Sequence, residues 1–419
     1  MKAYPALLGA EPRSILVRGV NWLGDAVMTT PALQRLRERF PEARIAILTH
    51  EKLAQLWQGH PSLNEVLTFG SRDSVWAIGR RLRAESFELA LVLPNSPRSA
   101  LEVWLGRIPQ RAGVQRPWRN WLLTLAIPPR AGRLEMRKRT PAEVKRLTAV
   151  SNGMASRLRE GGSQHEPGPS ASSPMPPMEG RAGERRLAPY RDSGTTGPDG
   201  NVHQLNDYLH LVGALGAETA PVAPLLSVEP KELIGAGQKF GLVEPAFRNR
   251  PLFGLNPGAE YGPAKRWPAE RFVAAAREIQ KRTNCVWLLF GGKGDVTTVG
   301  TIEAQLQAGH SSNPGVVNLA GKTSLRELLA LLKSCAVVLT NDTGPMHLAA
   351  ALGVPVVVPF GSTSPELTGP GLPGDARNIL VRNPAPCAPC FLRSCPIDFR
   401  CMMGIEPGQV VEAVLRAAV

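Results

Sequence analysis

No window of the sequence holds about 18 consecutive apolar residues, so no transmembrane helix is expected. The opening stretch, MKAYPALLGAEPRS, carries one lysine and an apolar patch too short and broken for a secretory leader, which points to a cytoplasmic protein. Aromatic residues make up 5 % of the chain. A base-stacking platform needs aromatics interleaved with cations, and none is visible, so nucleic acid is the weaker reading of the +14 net charge. No G-x-G-x-x-G follows the first apolar run, where Gly19 and Gly24 stand alone, which argues against a hydride-transferring oxidoreductase. Cysteine is scarce as well, six in 419 residues, which excludes a disulfide-stapled fold. Cys285 and Cys335 sit singly in apolar runs and read as core thiols. Cys387, Cys390, Cys395 and Cys401 crowd together. In a reducing compartment such a cluster raises zinc, but the second Cys-x-x-Cys of a zinc ribbon is missing. Structural thiols, zinc and a redox or iron–sulfur role all remain open for it.

What is present is an alternation of strands and helices. Ile15–Val17 and Arg44–Thr49 read as buried strands around a helix that Thr30 and Pro31 begin, because proline's missing N–H costs nothing in the first turn. Phe87–Asn95 adds a strand that ends in a polar turn. From about Pro251 the order repeats: LFGLNPGAE, VWLLFGG, AVVLTND and PVVVPFG are strands, with amphipathic helices between them. Such alternation implies an α/β fold of two doubly wound parallel-sheet domains facing a cleft, expected at 13–235 and 250–405. The helix in 406–419 is expected to cross back to the first domain. Within the first of these domains, about 131–200 is rich in Pro, Gly, Ser and charge. Its composition predicts disorder over 160–200, a basic helix around Ala142–Arg159, and order again from VHQLNDYLHLVGALG.

Four turns carry candidate chemistry, each at the carboxyl end of a strand, where ligands sit in open parallel sheets. In NDTGP the helix beginning near Pro345 leaves its first N–H groups unpaired, an anion site that Gly344 lets a ligand approach. Asp342 or Thr343 could cap that helix. NPGAEYGPAKRWP places Lys265 and Arg266 beside flexible glycines, a pattern suited to a diphosphate or simply to solvated charge. Trp267 and Pro268 read as core. FGGKGD puts Asp295 where a ribose could donate to it. VNWLGDAVMTTPAL puts Asp25 at the start of the first helix, as a helix cap or as a general base toward a hydroxyl.

Taken with VLPNSPRSAL, FGSTSPELTGP and PCFLRSCPIDFRC, these motifs resemble the ADP-heptose–lipopolysaccharide heptosyltransferases of glycosyltransferase family 9, and among them most the heptosyltransferase II type. The resemblance spans nearly all the chain outside the insert. It implies the GT-B arrangement of two Rossmann-like domains and an inverting, metal-independent transfer of heptose from ADP-L-glycero-β-D-manno-heptose. The implied acceptor is the heptose-Kdo-lipid A inner core. Carried over, Asp25 is the general base, Lys265, Thr343, Gly344 and Pro345 bind the donor diphosphate, and Asp295 the ribose. Arg266, Asp342 and His347 support them. Asn95, Arg98 and Arg111 are candidate acceptor contacts, with Arg107, Arg116 and Arg119 as looser ones. No cofactor is expected. The implied partners are the donor, the acceptor and the cytoplasmic face of the inner membrane, with the insert as a basic tether to anionic lipid. Another nucleotide sugar on the same architecture is the alternative.

Overall fold

Leu89–Val92, Val286–Leu289 and Val337–Thr340 are short runs buried along their whole length, the pattern of parallel strands covered on both faces. In the computed structural model, which describes residues 11–134, 136–149, 202–308 and 315–419, they lie near the centres of two six-stranded parallel sheets. The first comprises β1 (Ser14–Arg18), β2 (Arg44–His50), β3 (Glu65–Phe69), β4 (Leu89–Val92), β5 (Gln110–Val114) and β6 (Leu125–Ile127), in the order β3-β2-β1-β4-β5-β6. The second comprises β7 (Leu252–Asn256), β8 (Val286–Leu289), β9 (Val316–Asn318), β10 (Val337–Thr340), β11 (Val356–Phe360) and β12 (Ile379–Arg382), in the order β12-β11-β10-β7-β8-β9. Read from their own first strands, both have the order 3-2-1-4-5-6. The strand order therefore reverses between β1 and β4 in one domain and between β7 and β10 in the other. Chains leaving neighbouring strands in opposite directions open a crevice there. The turns that bear Asp25, Asn95, Lys265 and Asp342 follow those four strands.

The helices Leu23–Met28 and Gly344–Ala351, one from each domain, pack against each other. Val27 and Met28 share a continuous apolar cluster with Met346, Leu348 and Ala349, so the cleft floor is part of the core. The helix Leu205–Gly213 closes the first domain against the helix Thr30–Arg39. The expected boundary at 235 falls inside the helix Pro230–Lys239, which packs on Leu325–Lys333 of the second domain. Lys239 Nζ lies 2.6 Å from Glu327 there, and Arg326 pairs with Glu232.

The final helix does not cross back. Pro407–Ala417 buries Val410, Val411 and Val414 in the second domain's core beside Ile405, and Arg282 holds Glu412 at 2.8 Å. The crossing is made by part of the insert instead. Residues 141–149 form a helix whose Val144 is buried among second-domain residues. Arg139 N–H donates to Cys390 O at 3.0 Å, which pins the start of that segment. The helix expected around Ala142–Arg159 is thus seen over its first turns. The disorder expected over 160–200 lies outside the described residues. Among the described residues no helix is long and apolar enough to cross a membrane.

Candidate active site

The first domain delivers Asp25 through a short helix. Trp22 is extended and exposed, the chain turns, and Asp25 falls in the first turn of Leu23–Met28. Burial pushes its carboxyl up to about 6, against a hydrogen bond from Gln204 and the positive charge of Lys265. A carboxyl with that value titrates close to the working range of a general base. Asp25 therefore does not serve merely as a cap on its own helix; its partners come from 179 residues away in sequence and from the other domain.

Two glycines explain how the helix starts meet. A Cβ on Gly24 would stand 2.8 Å from His347 Cδ2, and one on Gly344 2.7 Å from Leu23 Cδ2. A side chain at Gly24 would press on the buried His347 ring, and one at Gly344 would make Leu23 shift, so both glycines let the two helices approach closely. His347 is buried, and burial holds its imidazole down at about 4, with nearby Asp342 opposing. It packs under Gly24, and its burial favours the neutral imidazole.

The second domain delivers the cations. Lys265 ends the short turn Pro263–Lys265, and its Nζ lies 2.6 Å from Asp342 Oδ2. Thr363 Oγ1 donates to the same oxygen at 2.5 Å. Asp342 is therefore occupied by Lys265 and Thr363. Thr343 is the N-cap of Gly344–Ala351 by position, with no side-chain capping bond. Pro345 has no N–H and Met346 N–H donates to Thr343 O at 3.1 Å, so an anion at this helix start would meet the Thr343 and Gly344 amides and the helix dipole. Asn341 binds the two switch-point loops together: its Oδ1 accepts from Trp267 N at 3.0 Å and its Nδ2 donates to Pro257 O at 2.7 Å. Trp267 is buried against Phe272, as the sequence indicates. Asp295 lies over Gly258, accepts from Gly292 N at 3.1 Å and stands 3.5 Å from Arg266 Nη2. Both therefore border the Lys265 loop.

Three site residues are not singled out by the sequence. The side chain of Gln204 bonds to Asp25, and its Nε2 donates to Tyr208 Oη at 3.0 Å. Burial and the neighbouring Asp25 carboxylate push the Tyr208 phenol up. His203, beside Gln204, accepts from Leu205 N at Nδ1 and sits 3.1 Å from Gly369 O through Nε2. Burial holds it at about 4. The signal available was HQ directly before an apolar helix, at the return from the insert.

The candidate acceptor arginines separate. Asn95 is exposed just beyond β4, on the cleft side. Arg98 is engaged: its Nε lies 3.1 Å from Glu102 Oε1 and its Nη2 donates to Asp73 O at 2.7 Å. The other Glu102 oxygen meets buried Arg18 at 2.7 Å. Arg111 is at the wrong end of the sheet. It lies near the amino end of β5, and its guanidinium donates to Leu122 O and Ile108 O at 2.7 and 2.5 Å. It holds strand connections together and is removed from the acceptor set. Arg119 is fully buried and bonds to Val114 O and Pro94 O, another structural role.

Cys387, Cys390 and Cys401 are buried and Cys395 half-buried, and all four line one small cavity with Ser362 and Val144. Burial pushes the Cys401 thiol up to about 12. All six cysteines are free thiols. Among the described residues no three His, Cys, Asp or Glu side chains stand ready to hold a metal.

Comparison with known proteins places this geometry. The family described as glycosyltransferase family 9 (heptosyltransferase) matches residues 173–399, more than half of the 419. Lipopolysaccharide heptosyltransferase 2 of Escherichia coli is 29 % identical over 368 residues, 85 % of each chain. Lipooligosaccharide heptosyltransferase 2 of Haemophilus influenzae is 27 % identical over 362 residues, 85 % of this chain and 86 % of that one. Among solved structures, the E. coli ADP-heptose heptosyltransferase II superposes with a TM-score of 0.68 at 24 % identity, covering 97 % of this chain and 98 % of that one. A family 9 glycosyltransferase from Veillonella parvula gives 0.67 at 20 % identity, covering 97 % of each. These likenesses establish the GT-B fold.

Proposed function

This chain belongs to glycosyltransferase family 9, the heptosyltransferases, and on that premise we propose that it moves L-glycero-D-manno-heptose from ADP-heptose to the heptose-Kdo-lipid A inner core of lipopolysaccharide. The proposed transfer is inverting and needs no metal, with Asp25 as general base. The observation that carries the reading is that Asp25 and Lys265 come to the same cleft from opposite domains, near enough that the ammonium's charge favours the Asp25 carboxylate.

The chemistry asks for two things. An acceptor hydroxyl must lose its proton as its oxygen attacks the anomeric carbon, and the departing ADP must be stabilised as negative charge develops on it. Asp25 takes the proton at its carboxylate. Gln204 hydrogen-bonds to that carboxyl and favours its ionised form, in part offsetting burial. A single displacement from the side opposite the diphosphate inverts the anomeric configuration. On the donor side, Lys265 and the backbone N–H groups of Thr343 and Gly344 present positive charge to the diphosphate before reaction begins, with Pro345, which has no N–H, setting the start of the helix. Such preorganised dipoles are worth most in a water-poor cleft. Asp342 holds Lys265 in place, Asp295 serves the ribose, and Arg266 steadies Asp295. Asn95 faces the acceptor. The acceptor is a membrane lipid, so the protein works at the cytoplasmic face of the inner membrane.

The test is ADP release by purified protein with ADP-heptose and a heptose-bearing Kdo-lipid A acceptor, in the presence of a chelator, for wild type and Asp25→Asn. Release that requires acceptor, survives chelation and collapses in the variant supports the reading. Release with a different nucleotide sugar and none with ADP-heptose overturns the donor assignment.

A further inference from the structure

Tyr261 is surrounded by cations. Lys265 Nζ lies 5.1 Å from its ring centroid, Arg393 Cζ 5.4 Å and Lys138 Nζ 5.8 Å. The three come from separate stretches of chain, and each stretch is anchored by its backbone. Tyr261 Oη donates to Phe391 O at 2.8 Å. Ala264 N donates to Arg393 O at 2.9 Å. Gly262, at φ +155°, passes so close that a Cβ there would stand 2.5 Å from the same oxygen. Lys138 is carried by the segment that Arg139 ties to Cys390 O, and the Arg139 guanidinium donates to Pro386 O at 3.0 Å. The gathering is therefore built by the fold.

The charges around the ring do not balance. Asp342 offsets Lys265. Among the described residues, no carboxylate forms an ion pair with Lys138 or Arg393, and both are exposed. Like charges gathered around one ring repel, and the face of one tyrosine offsets little of that. An anion with several oxygens removes the repulsion, because each cation then has a charge-assisted partner.

We propose that Lys138 and Arg393, gathered on the ring of Tyr261, form a second oxyanion site that continues outward from Lys265 and takes a phosphate or carboxylate group. Two sources share that chemistry: the diphosphate of the nucleotide sugar, and an anionic group of the lipid-linked acceptor. The proposal rests on the reading of Lys265 as a diphosphate ligand. Lys138 belongs to the segment that crosses from the first domain onto the second, so an anion held here also ties that segment to the second domain.

The test uses the full chain with Lys138→Gln, Arg393→Gln and the double variant, and separately Lys265→Ala. Calorimetry reads ADP and inorganic pyrophosphate binding at low and high salt, and steady-state assays read acceptor KM apart from kcat. The double variant is expected to weaken one ligand about tenfold or more, with each single variant about threefold. A raised ADP dissociation constant with a shallower salt dependence assigns the site to the donor. A raised acceptor KM with unchanged ADP binding assigns it to the acceptor. If ADP, pyrophosphate and acceptor all stay within twofold while the fold is intact, the site is overturned. If only Lys265→Ala leaves ADP binding unchanged, the diphosphate reading of Lys265 fails and the second site stands.

Discussion

Lys265 Nζ and Asp342 Oδ2 form a 2.6 Å ion pair at the foot of the helix that Gly344 begins, and Thr363 fixes the same carboxylate oxygen. The pair is largely shielded from water, so its two charges depend on each other for solvation. Asp342 acts as a mount for the lysine beside the start of that helix.

Lys265→Ala leaves Asp342 buried without its counter-ion. Removal of one partner from a buried pair costs roughly 3 kcal/mol, and urea unfolding will show a loss of that order together with weaker ADP binding. Lys265→Ala with Asp342→Ala will lose clearly less than the sum of the single variants, because the orphaned charge goes too. Additive losses would mean that the pair is not coupled.

Asp25→Asn should lower kcat by about 100-fold or more, the scale of a lost general base, with ADP binding little changed. In the wild type the free enzyme's kcat/KM should rise as pH passes about 6, where Asp25 ionises. Gln204→Ala removes a donor that favours the carboxylate, so that acid limb should move to higher pH. A limb that stays put would detach Gln204 from the base.

Asp25 and His347 act oppositely on stability. The Asp25 carboxyl titrates higher in the fold, about 6, than in the unfolded chain. The folded state therefore binds the extra proton, and stability falls as pH rises from about 4 to about 6, by about 3 kcal/mol for this group alone. His347 titrates lower, about 4. Its unfolded form binds the proton first, so its contribution is lost as pH falls from about 6.5 toward 4. Chemical unfolding across this range should show a flatter alkaline-going loss in Asp25→Asn and a smaller acid loss in His347→Leu.

Gly24→Ala inserts a methyl 2.8 Å from His347 Cδ2. Because the contact lies between domains, the expected effect is a cleft held apart: kcat falls at least tenfold while each domain keeps its secondary structure. Gly24→Ala combined with His347→Ala makes room and should restore part of the rate. A single variant with full activity would show that the cleft works without this contact.

Arg111→Ala should leave acceptor KM within twofold and lower stability by about 1–2 kcal/mol. Its guanidinium serves carbonyls at the amino end of β5, far from the cleft, and each lost bond to a charged donor leaves an acceptor unpaired. A large rise in KM would return it to the acceptor site.

The sequence alone determined the alternation of strands and helices and the chemistry at their carboxyl ends. These are local properties: apolar runs too short for anything but buried strands, turns with glycine and proline, and a motif order that resembles one family. Asp25, Lys265, Asp295 and the NDTGP turn were legible because each sits in the turn after a strand, and a parallel sheet brings such turns to one edge. Tertiary structure decided what each side chain faces. Arg98 and Arg111 are cations like Lys265 in the sequence, yet Glu102 and backbone carbonyls occupy them. Gln204 reaches Asp25 only because the helix Leu205–Gly213 packs on Thr30–Arg39. The crossing between domains fell to residues 141–149, not to the final helix, because Val410, Val411 and Val414 already complete the second domain's core. Periodicity says that a helix has an apolar face, but which core that face enters depends on where space remains to be filled.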